Sequence, residues 1–412
     1  MTCVLRAALC VLAACCVAEA QPSQIWWDDP TLGEAARAAG LVVLARAERV
    51  AENGVAYRVE RTLHGPSRDG DLLAVTGLHH PRLRARPPVS VGDRAYLLLW
   101  GEPRGEGFRL PTPTFGRFVR RDGHAVLSFG GPDTFVRLAV EAARAEAILR
   151  ACATGRADTG LLRWCREVLG ASDATNEQVY LSLCVLAEVG EPSDAAVAGR
   201  VLRDPSRRGP EQERVLMAAA RVLGRCGGGR AARLLVGAAA QSGRRAVASV
   251  AIAEALHALG DDPPARAAAA LGRELARLAP RLDPRPVRYG AADDPRRNFV
   301  DSPFLACMKA LGRLRATAGV PLALRALEGE DFEAIRAGLA YFELLGDVER
   351  AEEIAQRMRP RGHRDAFVNH AFGRTLRALT GAERPDEREA WLAWCRERRD
   401  EAAGPRRPGG SR

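Results

Sequence analysis

Six glycines in the second half of the chain stand behind short apolar runs at nearly even intervals. They are Gly190, Gly224, Gly260, Gly312, Gly346 and Gly381, separated by 34, 36, 52, 34 and 35 residues. Apolar residues at helical spacing precede them: Val179, Leu183 and Leu186; Leu216, Ala220 and Leu223; Phe304, Cys307 and Leu311; Ile335, Leu339 and Phe342. A glycine just past the last apolar position is the expected helix cap, because it takes the left-handed conformation without a side-chain clash. Pro321 suits the first turn of the helix after Gly312. A two-helix unit of this length cannot bury its apolar face alone and must stack on its neighbours. The period therefore predicts an α-solenoid over residues 134–400, opening with amphipathic helices at 135–152 and 160–170.

This pattern resembles the HEAT-repeat family, including short bacterial HEAT-like repeats. Leu379-Thr380-Gly381 followed by Ala390-Trp391-Leu392-Ala393-Trp394 is similar to the close of many bacterial HEAT-repeat proteins. Trp391 and Trp394 share one helix face, as a capping helix over the last repeat requires; an aromatic binding patch is the other reading of that pair. Enzymes and chaperones of pigment chemistry occur in the same superfamily, but the resemblance supplies no site residue for such activity. The resemblance implies an extended surface for a protein partner.

The one long interval equals a repeat plus about 17 residues. The extra segment, about 279–301, holds four prolines, four aspartates and five arginines. Insertions in solenoids map to loops, often on the binding face, and aromatic and arginine side chains are the commonest interface anchors. Tyr289, Arg296, Arg297 and Phe299 are the candidate partner-binding residues.

Upstream the period is two. Residues 41–48, 55–61, 71–76, 95–100, 118–120 and 125–129 read as short strands between loops rich in glycine and proline. Arg121-Asp122-Gly123 is a hairpin signal, and a helix at 30–40 precedes the first strand. Residues 21–132 are thus expected to form a small β-barrel or sandwich. Tyr57 to Gly65 (YRVERTLHG) and Val91 to Leu99 (VGDRAYLLL) resemble a pattern in exported bacterial domains with a netrin/TIMP-like OB barrel. That resemblance implies an OB-like barrel over about 80 residues. Protease inhibition does not carry over with it, since no cysteine lies between 17 and 151 to supply that family's N-terminal pair.

Arg6, the uncharged stretch 7–18 and the small-x-small triplet Ala18-Glu19-Ala20 have the layout of an export signal over residues 1–20, cleaved after Ala20. Leu12-Ala13-Ala14-Cys15 overlaps it as a lipobox, with Cys15 the alternative lipidation site. Either places the mature chain outside the cytoplasm, periplasmic or secreted, or lipid-anchored in the cell envelope. No later apolar run reaches the length of a transmembrane helix. Six cysteines follow the signal: Cys152, Cys165, Cys184, Cys226, Cys307 and Cys395. Cys152 and Cys165 flank a turn and form a candidate disulfide, while Cys184 and Cys307 fall on apolar helix faces. Residues 401–412 read as a disordered polar tail.

The net charge of +10 comes from 60 arginines and a single lysine, Lys309, spread along the chain. Counterion-release binding needs a concentrated basic surface, so the charge argues against a nucleic-acid partner. No nucleophile elbow, phosphate loop, zinc motif or dinucleotide fingerprint is present. His79-His80, with His64 and His124, would be the candidate metal site, but a histidine pair in a loop beside Pro81 reads as solvent-facing. No cofactor is called for. The sequence thus predicts a multi-domain α and β chain, an OB-like barrel followed by a HEAT-like α-solenoid, working as an exported non-catalytic binding or scaffold protein. An enzyme or enzyme regulator with its site in the barrel loops, around 78–86, is the alternative.

Overall fold

The computed structural model describes residues 32–52, 54–76, 89–101, 107–111, 116–129, 136–204, 206, 212–241, 245–285, 287–288, 299–360 and 366–403. The export signal with Cys15 and Ala20, the loop 78–86, and residues 404–412 of the expected tail lie outside this set. The fold is mixed α and β. Among the described residues it has fifteen α-helices, one eight-stranded sheet and a separate two-stranded pair.

A short helix, α1 (Leu32–Ala38), leads into the long antiparallel hairpin β1 (Leu41–Ala51) and β2 (Gly54–His64). The other strands are β3 (Leu72–Thr76), β4 (Arg94–Leu99), β5 (Phe108–Arg109), β6 (Arg117–Arg121), β7 (His124–Phe129) and β8 (Val136–Glu141). The spatial order is β5-β3-β2-β1-β4-β6-β7-β8, an open ladder in which the first and last strands do not pair. All neighbours are antiparallel except β3 and β5, where Val75 pairs with Phe108 in parallel. Beyond β4, Trp100 and Arg109 exchange two backbone hydrogen bonds of 2.9 Å.

Side chains alternate across the pleat, so β1 and β4 each serve two cores. Val42 and Leu44 of β1 and Tyr96 and Leu98 of β4 belong to a cluster shared with the helices. Their neighbours Leu41, Val43, Ala45, Ala95, Leu97 and Leu99 face a second cluster, made with Val55, Tyr57, Val59, Val75 and Phe108. β1 is therefore buried on both faces, as its unbroken apolar run Leu41–Leu44 requires.

One expected helix is corrected. The segment expected to be helical from residue 135 starts as strand β8, whose sequence Val136-Arg137-Leu138-Ala139-Val140 alternates and pairs along β7 from Phe129↔Val136 to His124↔Glu141. The change from strand to helix falls at Glu141/Ala142, where the alternation gives way to an alanine-rich, helix-favouring stretch.

The helices that follow are α2 (Ala142–Thr154), α3 (Thr159–Gly170), α4 (Asn176–Val189), α5 (Ala195–Arg203), α6 (Glu213–Cys226), α7 (Gly228–Gln241), α8 (Arg245–Leu259), α9 (Ala265–Leu278), α10 (Pro303–Arg313), α11 (Val320–Glu328), α12 (Phe332–Leu345), α13 (Ala351–Gln356), α14 (Ala366–Thr380) and α15 (Arg388–Ala403). They pack in two rows. α4, α6, α8, α10, α12 and α14 each lie against the next, and α3, α5, α7, α9, α11 and α13 lie outside them, with α15 against α13. The inner helices are buried nearly all round, which explains runs such as Leu181–Leu186 without a polar stripe. Side-chain caps start several of them: Thr175 and Gln178 form a reciprocal capping box on α4, Ser302 accepts from the Leu305 N–H on α10, and Asp331 accepts from the Glu333 N–H on α12.

The repeating glycines divide into three kinds. Gly260, Gly346 and Gly381 take φ of 79°, 69° and 69°, the left-handed cap conformation. Gly224 and Gly312 do not cap. They lie inside α6 and α10, where the neighbouring helix comes too close for a side chain. A Cβ on Gly312 would sit 2.8 Å from both the Leu344 Cβ and the Tyr341 carbonyl oxygen of α12. Gly190 ends α4 in extended backbone.

A single buried cluster runs from Val42 and α1 through every inner helix to Trp391 of α15. α1 and α2 are the wedge between sheet and helices: α1 packs on α2 and α4, and α2 packs on β1, β2, β7 and β8. Trp391 is fully buried and meets Trp394 edge-on at 6.1 Å, so this indole closes the end of the helical core. The helix continues through Ala403, past the expected start of the tail at 401.

Candidate functional site

The inserted segment is built from its two feet upward. A 3₁₀ turn, Ala279–Arg281, carries the chain out of α9. Asp283 then accepts hydrogen bonds from the Arg285 backbone N–H (2.8 Å) and its guanidinium (2.8 Å), with the Arg245 guanidinium of α8 at 3.4 Å. The hydrogen bond from Arg285 holds the Asp283 carboxyl below its ordinary value. At the other foot the Ser249 hydroxyl of α8 donates to the Asp301 carbonyl (2.6 Å), and Lys309 of α10 reaches the Asp301 carboxylate (2.6 Å). Between the feet β9 (Val287–Arg288) pairs with β10 (Phe299–Val300). The lone lysine and two aspartates thus clamp both ends of the insertion to α8 and α10.

The candidate partner residues fall on this arm. Phe299 lies in β10 opposite Arg288, which places it beside the feet. Tyr289, Arg296 and Arg297 lie in 289–298, outside the described residues. The arm also has neighbours that inspection of the loop does not reveal. Asp331 at the start of α12 is close enough to act on Arg285, whose side chain is 76% exposed. Next to it the rings of Phe332 and Phe367 meet at a tilt of 42° with centroids 4.7 Å apart, and Phe367 is 67% exposed. These two phenylalanines are 35 residues apart (367 − 332), so the repeat period itself marks them as equivalent positions at the starts of α12 and α14. An aromatic pair with one exposed ring, beside an exposed arginine, has the composition of an interface anchor.

A second polar feature lies where α1 meets the inner helices. Glu34 of α1 pairs with Arg221 of α6 at 2.7 Å, and Arg37 of α1 with Glu188 of α4 at 3.2 Å. Glu254 of α8 joins them and lies against Gly224, as Glu188 lies against Gly33. Among the described residues Glu254 makes neither an ion pair nor a hydrogen bond. Burial pushes its carboxyl up to about 7, with Arg221 opposing and Glu34 adding to the shift. Burial likewise raises Glu188, against the pull of Arg37.

Cys152 and Cys165 are free buried thiols, as are Cys184, Cys226, Cys307 and Cys395. Burial raises Cys152 and pushes Cys165 up to about 12, so both are unreactive as they stand. Among the described residues no three metal-ligating side chains converge; His64 and His124 end and begin different strands, and His79 and His80 lie outside the described set. No helix of the described residues is long and apolar enough to cross a membrane. No family model, curated protein or solved structure matches the chain.

Proposed function

We propose that this chain is an exported, non-catalytic binding scaffold of the cell envelope that holds a protein partner on the arm-bearing side of a HEAT-like α-solenoid. Support for the solenoid comes from the two helical rows, each inner helix packed on the next at the period of the glycines. Support for an OB-like barrel comes from β1 pairing with both β2 and β4, from the parallel β3–β5 pair, and from the Trp100–Arg109 bridge that brings β5 back toward β4 around the second core. Export, by cleavage after Ala20 or lipidation at Cys15, rests on the sequence of the first twenty residues.

The observation that carries the reading is the arm: an insertion clamped at both feet, beside the exposed Phe367 and the half-buried Phe332 that it contacts. A loop of no consequence needs no such footing. The test is deletion of 289–298 with a short Gly/Ser closure, followed by comparative affinity capture from an envelope extract. The deletion leaves the melting temperature nearly unchanged, since surface loops contribute little core, and abolishes capture of a species the intact chain retains. Identical captured species from both forms overturn the proposal.

A further inference from the structure

The outer row of helices sorts its charge. α5 lies against α7 and α7 against α9, and these three hold seven arginines against one carboxylate, Glu274. The other three outer helices, α3, α11 and α13, hold three arginines against four glutamates. The whole chain has 61 basic and 51 acidic residues, so the excess is concentrated in the middle of this row. Its arginines are Arg200 and Arg203 on α5, Arg230 and Arg233 on α7, and Arg266, Arg273 and Arg277 on α9, and all seven are exposed. On α9 steps of seven and four residues set the three within about 40° of one another, opposite the buried Leu271, Leu275 and Leu278. The repeat does the gathering: Arg200, Arg233 and Arg266 are each 33 residues apart (233 − 200; 266 − 233), so the sequence shows no basic run. Arg203 donates back to the Gly199 carbonyl at 2.9 Å. The other six side chains make no ion pair or hydrogen bond among the described residues.

We propose that the exposed face of α5, α7 and α9 is a docking surface for an anionic phospholipid membrane. Guanidinium groups without carboxylate partners repel one another and match the geometry of phosphate oxygens. Neighbouring helix axes stand about 8–10 Å apart, and a helix of this length runs about 20 Å, so the stripes form a patch about 20 Å on a side. A bilayer presents its phosphates in a plane and meets all three stripes at once, whereas a rod-like polyanion follows a line. The outward positions between the arginines include Ala196, Ala240 and Ala269, and no aromatic residue occurs on the three helices. None of their large apolar side chains is exposed. The face therefore lacks the rings on which nucleic-acid bases stack and the apolar or aromatic centre of a protein interface. It is purely electrostatic and lies on a surface without inserting into it. The arm is footed on α8 and α10 of the inner row, so a chain resting on its outer row keeps the arm clear.

The test is flotation of the full chain with phosphatidylcholine vesicles containing about one part in three of phosphatidylglycerol, against vesicles of phosphatidylcholine alone. The chain floats with the anionic vesicles, and salt releases it. Arg233→Gln, Arg273→Gln and Arg277→Gln together weaken binding on the order of a hundredfold. Arg49→Gln, Arg121→Gln and Arg150→Gln together remove the same charge from exposed positions elsewhere and leave binding nearly unchanged. Equal binding to both kinds of vesicle, binding to neither, or equal losses in the two triple variants overturns the proposal. Tighter binding to a DNA duplex than to the anionic vesicles at the same salt also overturns it, in favour of a nucleic-acid partner. If the patch variant does not fold, arginine modification by phenylglyoxal in the wild-type chain decides. Anionic vesicles then shield Arg233, Arg273 and Arg277 and leave Arg49 and Arg121 reactive; modification that vesicles do not alter overturns the proposal.

Discussion

Replacing Gly312 by alanine destabilises this protein even though alanine is the better helix former. The gain in helix propensity is about 1 kcal/mol. Against it stands the space at the crossing of α10 and α12. The new methyl meets the Tyr341 carbonyl oxygen and the Leu344 Cβ at 2.8 Å each, and the Tyr341 Cα at 3.4 Å. None of these atoms is the far end of a flexible side chain, so the two helices themselves must separate. Overpacking of this kind costs about 1–3 kcal/mol, and separation also loosens contacts of Phe342 and Leu311, both fully buried. The net expectation is a loss of up to about 2 kcal/mol. Gly237 in α7 is the internal control: it is helical and nothing lies within 4 Å of its added Cβ. Gly237→Ala therefore stabilises by about 0.5–1 kcal/mol. Urea unfolding followed by far-ultraviolet circular dichroism separates the two, with opposite shifts of the midpoint. A Gly312→Ala protein as stable as Gly237→Ala refutes the reading of Gly312 as a close-packing position.

Trp391→Ala opens the end of the helical core and costs about 3–5 kcal/mol, more than Trp394→Ala, whose ring is only partly buried; equal melting temperatures for the two contradict the closing role. Thr175→Ala and Asp331→Ala each remove a helix cap and lower stability by about 1 kcal/mol in the same urea assay. Burial pushes Cys165, Cys184 and Cys307 up to about 12, so at pH 8 a thiol reagent modifies them only after denaturant is added. Rapid native labelling of these three contradicts their burial.

The parts of this fold legible in the sequence are those set by local period. The apolar run Leu41–Leu44 marks a strand buried on both faces, and the alternation of Val55–Arg61 marks one with Val55, Tyr57 and Val59 in a core and Ala56, Arg58 and Glu60 half-buried. The glycine period marks the inner helices because each must end before the chain turns back. What escaped is non-local. β8 was hidden by the alanine-rich α2 that follows it directly, and its place depends on a free edge of β7. Gly224 and Gly312 look like caps because the sequence shows the apolar run before a glycine, not the helix that crosses it. The arm is visible as a break in the period, but its feet on Arg245, Ser249 and Lys309 are contacts between elements. The α1 seam joins Glu34 to Arg221 across 187 positions, and no spacing rule links them. Cys152 and Cys165, close in sequence across a turn, are separate thiols in the packed helices.

The claim that a partner docks on the arm side is tested most directly by site-specific photo-crosslinking in the native envelope. A photoreactive phenylalanine analogue replaces Arg285 on the arm or Phe367 beside it, and in a third variant Arg233, which is exposed on the outer helix α7. The account predicts one discrete crosslinked protein shared by positions 285 and 367 and missing at 233. A crosslink at 233 with none at 285 or 367 places the partner on the outer row and contradicts it.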